Sequence, residues 1–331
     1  MPSTTTEAPK PTVHATVHGG DLGEAMRRFP DAPRPWIDLS TGLNPVPYPV
    51  PAIPEAAWTR LPSRVAEEAL QDAAMARYGV GRRSMIVPAP GTQALIQVLP
   101  RLLPPSRVAI VGPTYEEHQV CWRRAGHDVR IVPKLEDSDV VVVVNPNNPT
   151  GRLFSPSELA RIAGFLVVDE AFIDFLPREM SFASQLRSRA VVLRSFGKTY
   201  GMGGLRLGFA IASPELAPRI REELGPWAVP GPALEIGRRA LNDGAWLRTA
   251  RERLVADTAR LDGMLRQAGF EVLGGTLLFR LARHPSAAIF VQRLGQQGIH
   301  VRAFPDAPDQ LRFGLPGNDE AFRRLAAALG V

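Results

Sequence analysis

The sequence predicts an α/β protein built on an open, mostly parallel central sheet flanked by helices, with a smaller α+β domain at its C-terminal end. Three observations carry this. Short β-branched runs recur between positions 108 and 213 (VAIVG, VRIVP, DVVVVVNP, FLVVDE, AVVLRSF, LGFAIAS), separated by helical or loop segments. Each run is apolar on consecutive positions, the pattern of a strand covered on both faces, as in parallel sheets. After Pro230 the texture changes to an arginine-rich helical region over 233–268, then FEVLGGTLLFRLA, IHVRAF and LRFGLP as two or three strands, and a closing helix from about 318.

The elements ahead of the sheet follow in order. MPSTTTEAPKPTVHATV is polar and lacks an apolar signal core, which reads as a tail preceding a cytoplasmic protein. Residues 30–54 hold eight prolines together with DLSTGLNP. Such a stretch is neither a helix nor a central strand, so an extended surface arm is expected. RVAEEALQDAAMARY at 64–78 reads as a helix ending at Gly79. The resulting division is a tail and arm over 1–45, a large α/β domain over 46–230 and a small α+β domain over 231–331.

Composition excludes several classes. The chain has 331 residues, 45% hydrophobic and 22% charged, which is globular and long enough for a sizeable core. No apolar run approaches the roughly 20 residues of a membrane helix. The formal charge is +6, but arginines are spread along the chain near acids, as in RERLVADTARLD at 251–262. That is the texture of salt-bridged helix faces rather than of a nucleic-acid patch, and it leaves small anionic ligands compatible. Cys121 is the only cysteine, so an internal disulfide and a cysteine-based metal cage are excluded, and no metal site is expected.

Lysine and arginine together number 39, yet only Lys10, Lys134 and Lys198 are lysine. Lys198 stands in SFGKTYGMGGLRLG. What lysine offers beyond arginine is a primary amine that can lose its proton and form a Schiff base with a carbonyl. A solvated loop lysine is the alternative, and the neighbours decide between them.

In open α/β sheets ligands bind outside the carboxyl ends of strands, so the residues that follow each strand are the candidates. After SMIVPAP, Gly91-Thr92-Gln93 open an apolar helix, either as an ordinary cap or as a phosphate cup of backbone amides. After VAIVG, Tyr115 is either a stacking platform or a packed ring. NPNNPTG at 145–151 is a rigidly specified turn. Asp169 and Glu170 end a very apolar strand, where a carboxylate needs a cationic partner. AVVLRS leads to Ser195, Lys198 and Arg206. Pyridoxal 5′-phosphate accounts for all five places, since it needs an amine, a carboxylate at its pyridine nitrogen, a stacking ring, a donor to its phenolic oxygen and a phosphate cup.

The ordered motifs NPNNPTG, DEAF and S-F-G-K-x-Y-G-x-x-G-L-R-x-G resemble the fold-type I aminotransferase family, its histidinol-phosphate-aminotransferase-like branch in particular, over about 84–212. The resemblance implies a pyridoxal-phosphate-binding fold and a homodimer with its site at the subunit boundary. It implies that Lys198 forms the Schiff base, Asp169 pairs with the pyridinium nitrogen, Asn148 bonds the phenolic oxygen and Tyr115 stacks on the ring. Gly91, Thr92, Ser195 and Arg206 would hold the phosphate, with Gln93 beside them, and Arg312 in LRFGLP matches a carboxylate-binding arginine. Two positions depart from the family: Phe172 replaces a tyrosine that helps bind the phenolic oxygen, and Leu61 replaces a tyrosine that reaches the neighbouring subunit's phosphate.

HGGD at 18–21, PWIDLSTGLNP at 35–45 and DEAFIDF at 169–175 resemble the threonine-phosphate decarboxylases of cobalamin biosynthesis. This implies decarboxylation of L-threonine O-3-phosphate to (R)-1-amino-2-propanol O-phosphate, with His18, Arg302 and Arg312 around a small anionic substrate. The alternative is an aminotransferase such as histidinol-phosphate aminotransferase. A non-catalytic or nucleic-acid-binding role is opposed by the intact Lys, Asp, Asn and Arg set.

Overall fold

The computed structural model describes residues 19–50 and 52–331. The strands, in chain order, are β1 (Ile37–Leu39), β2 (Ile86–Ala89), β3 (Arg107–Val111), β4 (Asp128–Val132), β5 (Val140–Val144), β6 (Phe165–Asp169), β7 (Ala190–Ser195), β8 (Gly208–Ala212), β9 (Glu271–Thr276), β10 (Phe279–Arg283), β11 (Ile299–Ala303) and β12 (Gln310–Gly314). They form a seven-stranded sheet of order β2-β8-β7-β6-β5-β3-β4 and a five-stranded sheet of order β1-β11-β12-β10-β9. In the larger sheet only β8 runs against its neighbours β2 and β7; the other pairs are parallel.

The consecutive apolar runs become strands buried at every position, from β5 through β8. Alternate side chains feed two cores. Val141, Val143, Leu166, Val168 and Val192 pack on one face, while Val140, Val142, Val167, Val191 and Leu193 pack on the other. The chain leaves β3 outward to β4 and returns on the other side of β3 as β5. That reversal opens a crevice at the carboxyl ends of β3 and β5, where open α/β sheets take ligands.

The helix Arg64–Tyr78 is closed at both ends as its sequence requires. Ser63 caps its first turn by accepting from the Ala66 amide, and Gly79 ends it in the left-handed conformation at φ 70°. The arginine-rich region expected as one helical run is two helices, Gly231–Asn242 and Gly244–Gln267. Asp243 breaks it because its carboxylate accepts from the Trp246 amide at 2.9 Å and so starts a new helix. The first of these helices buries Ala233, Leu234, Ile236 and Leu241 in the core of the large sheet, the second Leu254, Leu261 and Leu265 in that of the small one. FEVLGGTLLFRLA gives two antiparallel strands, β9 and β10.

The proline-rich arm contributes an edge strand. Ile37–Leu39 pairs in parallel with β11 and Leu39 is fully buried, so the arm closes the small sheet as well as lying on the surface. Short helices at Leu22–Arg28 and Glu55–Thr59 flank it. Among the described residues no helix is long and apolar enough to cross a membrane.

The two sheets meet where the NPNNPTG turn runs against β9. Gly151 has φ +75°, and a Cβ there would stand 2.2 Å from the Gly275 carbonyl oxygen. Neither backbone can yield without moving its sheet. Gly151→Ala is therefore expected to lower stability by about 1–3 kcal/mol, read as a lower midpoint of denaturant unfolding. An unchanged midpoint would show that the turn and β9 move apart freely.

Candidate active site

The carboxyl end of the large sheet gathers the strand-following residues around one crevice. At its β2 side, Gly91 adopts φ +80° and leads into the helix Thr92–Val98. A Cβ on Gly91 would meet the Arg206 guanidinium at 2.5 Å, so the absence of a side chain is what admits that arginine. Arg206 itself is held at φ 53°, a conformation costly for a side-chain-bearing residue, and donates to the Gly203 carbonyl at 2.9 Å. Gly208 pairs in register with Ser195, and a Cβ on it would touch the Thr92 amide at 2.7 Å. Gly91 and Gly208 thus bring Thr92, Ser195 and Arg206 close to one another.

Beyond β3, the half-buried Tyr115 donates its hydroxyl to Gln93 Oε1 at 3.1 Å. Gln93 turns its amide nitrogen to Glu117 at 2.7 Å, so its side chain orients the tyrosine. Burial, reinforced by Glu117 and Asp169, pushes the Tyr115 phenol up to about 12, which keeps it a neutral donor. His118 was not singled out from the sequence. It stands edge-on to Tyr115 and places Nε2 3.0 Å from Asp169 Oδ2, both side chains being buried. Asp169 Oδ1 accepts from the Ala171 amide at 3.0 Å. The available signal was position: a histidine in the first helical turn after a strand end, three residues beyond the ring.

After β5 the NPNNPTG turn is pinned by its own asparagines. Asn145 exchanges two bonds with the Phe154 backbone, at 3.0 and 2.8 Å. Asn147 donates to the Pro113 carbonyl at 2.9 Å and accepts from the Thr114 hydroxyl at 2.6 Å, which bridges the β3 and β5 ends across the crevice. With these two engaged in the turn, Asn148 is the asparagine that faces the small sheet, where its side-chain oxygen accepts from Arg312.

Lys198 lies in the single-turn helix Phe196–Thr199. Its ammonium stands 5.6 Å from the centre of the Phe172 ring, which packs edge-on to Phe279. Phe172 thus offers a π face where a tyrosine would offer a hydroxyl. Burial, joined by Arg312 and Arg206 and opposed by Asp169 and Asp38, lowers the Lys198 ammonium to about 8. Asn44 fixes this turn from the arm: its amide donates to the Lys198 carbonyl at 2.9 Å and its side chain to the Thr199 carbonyl at 3.0 Å. The Asn44 side-chain oxygen accepts from Arg253 at 2.7 Å, on the long helix of the small sheet.

The small sheet faces the crevice with two arginines. Arg302 on β11 and Arg312 on β12 are direct partners in the antiparallel register, so their side chains leave the same face. The buried Arg312 donates to the Ser40 carbonyl and to Asn148, while its Nε is without a partner among the described residues. Burial and the neighbouring Arg302 lower its guanidinium to about 10. Arg302 is half-buried and is likewise pushed down by burial, against Glu116 and Tyr115. His18 lies outside the described residues. Leu61 is exposed, at 67% of its surface.

These side chains suit pyridoxal phosphate. A glycine-lined space beside Arg206, a buried carboxylate on β6, a ring on the β3 side and a primary amine near neutrality are what its phosphate, ring nitrogen, ring face and aldehyde require.

The family model of aminotransferase class I and II matches residues 35–329. The chain is 45% identical over 325 residues to a threonine-phosphate decarboxylase of Pseudomonas aeruginosa, covering 94% of this chain and 96% of that protein. It is 44% identical to a threonine-phosphate decarboxylase of Sinorhizobium sp., covering 95% and 97%. Among solved structures, histidinol-phosphate aminotransferase from Sinorhizobium meliloti in complex with pyridoxal-5′-phosphate is similar with a TM-score of 0.79 at 19% identity, covering 99% of this chain and 98% of that one. L-threonine-O-3-phosphate decarboxylase from Porphyromonas gingivalis gives 0.71 at 21% identity, covering 88% and 98%. The structural likenesses show the fold: a mostly parallel large sheet with a smaller mixed sheet beside it.

An amine that is neutral above about 8 reacts with an aldehyde without first losing a proton. Capture of pyridoxal phosphate by cofactor-free protein is therefore expected to accelerate from pH 7 and to level off above about 8, where an ordinary lysine would keep accelerating. Stopped-flow absorbance gives the profile. Borohydride should fix the cofactor to the wild type and to no residue of Lys198→Ala; fixed cofactor in that variant would remove Lys198 from the role.

Proposed function

We infer that this chain, which belongs to the class I and II aminotransferase family, decarboxylates L-threonine O-3-phosphate to (R)-1-amino-2-propanol O-phosphate with pyridoxal 5′-phosphate, a step of cobalamin synthesis. The observation that carries the reading is the register pair Arg302 and Arg312, beside relatives of that activity at 44–45% identity over nearly the whole chain. Like charges directly opposite each other on a sheet repel, and an anion placed between them reverses the sign of that interaction.

When bound, pyridoxal phosphate supplies an aldehyde for an amine and a conjugated ring that accepts the electron pair released when a bond at the substrate's Cα breaks. In our assignment Lys198 is the amine for that aldehyde. Asp169, oriented by His118 and the Ala171 amide, would pair with the pyridine nitrogen and favour its protonated form. Tyr115 would stack on the ring face, Asn148 would bond the phenolic oxygen, and Gly91, Thr92, Ser195 and Arg206 would hold the phosphate.

The substrate carries a carboxylate and a phosphate, and the small sheet meets it with cations. Arg312, whose buried Nε is without a partner among the described residues, and Arg302 beside it would hold these anions, with His18 assigned to the same role. Holding both ends would fix the rotation about the Cα–N bond and so select the Cα–carboxylate bond as the one to break. Lys198, once free of the aldehyde, has a proton affinity near neutrality and can return a proton to Cα. We further propose a homodimer, since Trp58, Leu61 and Val65 leave 67%, 67% and 76% of their surfaces exposed within eight residues of one another.

Product analysis tests the reaction. Threonine phosphate should release carbon dioxide and aminopropanol phosphate in equal amounts without any keto acid, and free threonine should react far more slowly, because the phosphate's binding energy enforces the orientation. Amino transfer from histidinol phosphate to 2-oxoglutarate, with no carbon dioxide from threonine phosphate, would make the chain an aminotransferase instead. Sedimentation should find a dimer at low micromolar concentration, and Leu61→Glu with Val65→Glu should weaken it; a fully active monomer would overturn the dimer.

A further inference from the structure

Behind the crevice, on the opposite face of the large sheet, lies a buried ionic cluster to which the function above gives no role. Arg194 places Nη1 3.0 Å from Glu170 Oε2 and its other terminal nitrogen against Asp174. Glu170 also accepts from the Ser181 hydroxyl and the Phe182 amide, each at 2.6 Å. Asp174 accepts from the Thr199 hydroxyl at 2.7 Å. The guanidinium lies 4.3 Å from the centre of the Tyr78 ring. Arg194, Glu170, Asp174, Ser181 and Thr199 are all buried.

Two carboxylates share one guanidinium here, all three side chains buried, which is costly. Burial pushes the Glu170 carboxyl up against Arg194 and its hydrogen bonds, while the two acids outweigh burial and keep Arg194 firmly protonated. Apolar packing would serve stability as well or better, so a cluster of this kind is better explained by the geometry it enforces.

That geometry is legible in the chain. Glu170 directly follows Asp169, Arg194 directly precedes Ser195 and Thr199 directly follows Lys198. Arg194 and Ser195 are consecutive residues of β7 and so leave opposite faces of the sheet, while Glu170 follows the end of β6 and Thr199 sits in the one-turn helix, both joined to the cluster by the contacts above. The one-turn helix carrying Lys198 is too short to hold its shape unaided. The Thr199 hydroxyl fastens it to the loop that descends from Asp169.

We propose that the cluster Arg194, Glu170 and Asp174, closed by Thr199, is a positioning device that fixes Lys198 relative to Asp169 from behind the sheet. The proposal rests on the assignment of those two residues to the cofactor. Thr199 and its partners are positioning residues that touch neither cofactor nor substrate.

Thr199→Val removes the hydroxyl and little volume, Thr199→Ala removes it without β-branching, and Thr199→Ser restores it. The first readout uses cofactor-free protein: acetylation of Lys198 by acetic anhydride against pH, resolved by mass spectrometry, with the exposed Lys134 as internal reference. Because burial is the largest cause lowering the Lys198 ammonium, a loosened turn that admits water should move its midpoint up from about 8, by roughly half a unit or more, in both the valine and alanine variants. The second is turnover of the loaded enzyme, with kcat falling roughly tenfold and KM little changed. Serine should return both to wild type.

A folded valine or alanine variant with unaltered midpoint and kcat overturns the proposal, and so does a lower melting temperature as the sole effect. Should borohydride fix the cofactor to a residue other than Lys198, the proposed function fails, while the acetylation midpoint still judges the cluster.

Discussion

The charge balance at Lys198 governs the arrangement of the crevice. Its amine sits where burial, Arg312 and Arg206 disfavour the ammonium while Asp169 and Asp38 favour it. Each influence comes from a different part of the fold. Burial follows from a sheet whose central strands are apolar on both faces, Asp169 from the end of β6, Arg206 from a strained turn before β8, and Arg312 from the other sheet. Removing burial or an arginine would raise the amine's proton affinity, and removing an aspartate would lower it. A reaction that needs the same nitrogen first as nucleophile and later as proton donor requires a group held between those limits.

The sequence was most readable where chemistry and backbone pattern coincide. Continuous valine runs name the buried parallel strands, and the lysine that stands out among arginines is one the fold buries near the Phe172 ring. Contacts made by folding were less visible. His118 meets Asp169 across 51 positions and, within EEHQVCWRR, looks like one more residue of an amphipathic helix. The pairing of Arg302 with Arg312 depends on the register of two strands joined by a loop, which the spacing of the two residues does not fix.

Other differences have local causes. Asp243 reads as one charged residue in an arginine-rich helix until its carboxylate is seen to accept from the Trp246 amide and divide that helix in two. The proline-rich arm reads as surface because its strand is only three residues long, and it pairs with a β11 that lies 262 positions further on. Of the three substrate-facing residues read from the sequence, Arg302 and Arg312 stand on adjacent strands, and His18 precedes the first described residue.

Asn44 grips the Lys198 turn with its amide and side chain while its oxygen is held by Arg253, on the helix behind the sheet that bears Arg302 and Arg312. It acts as a tie-rod. Any swing of the small sheet toward the crevice loads this rod and transmits force to the carbonyls of Lys198 and Thr199. The small sheet that bears Arg302 and Arg312 and the turn that bears Lys198 are thereby in mechanical register.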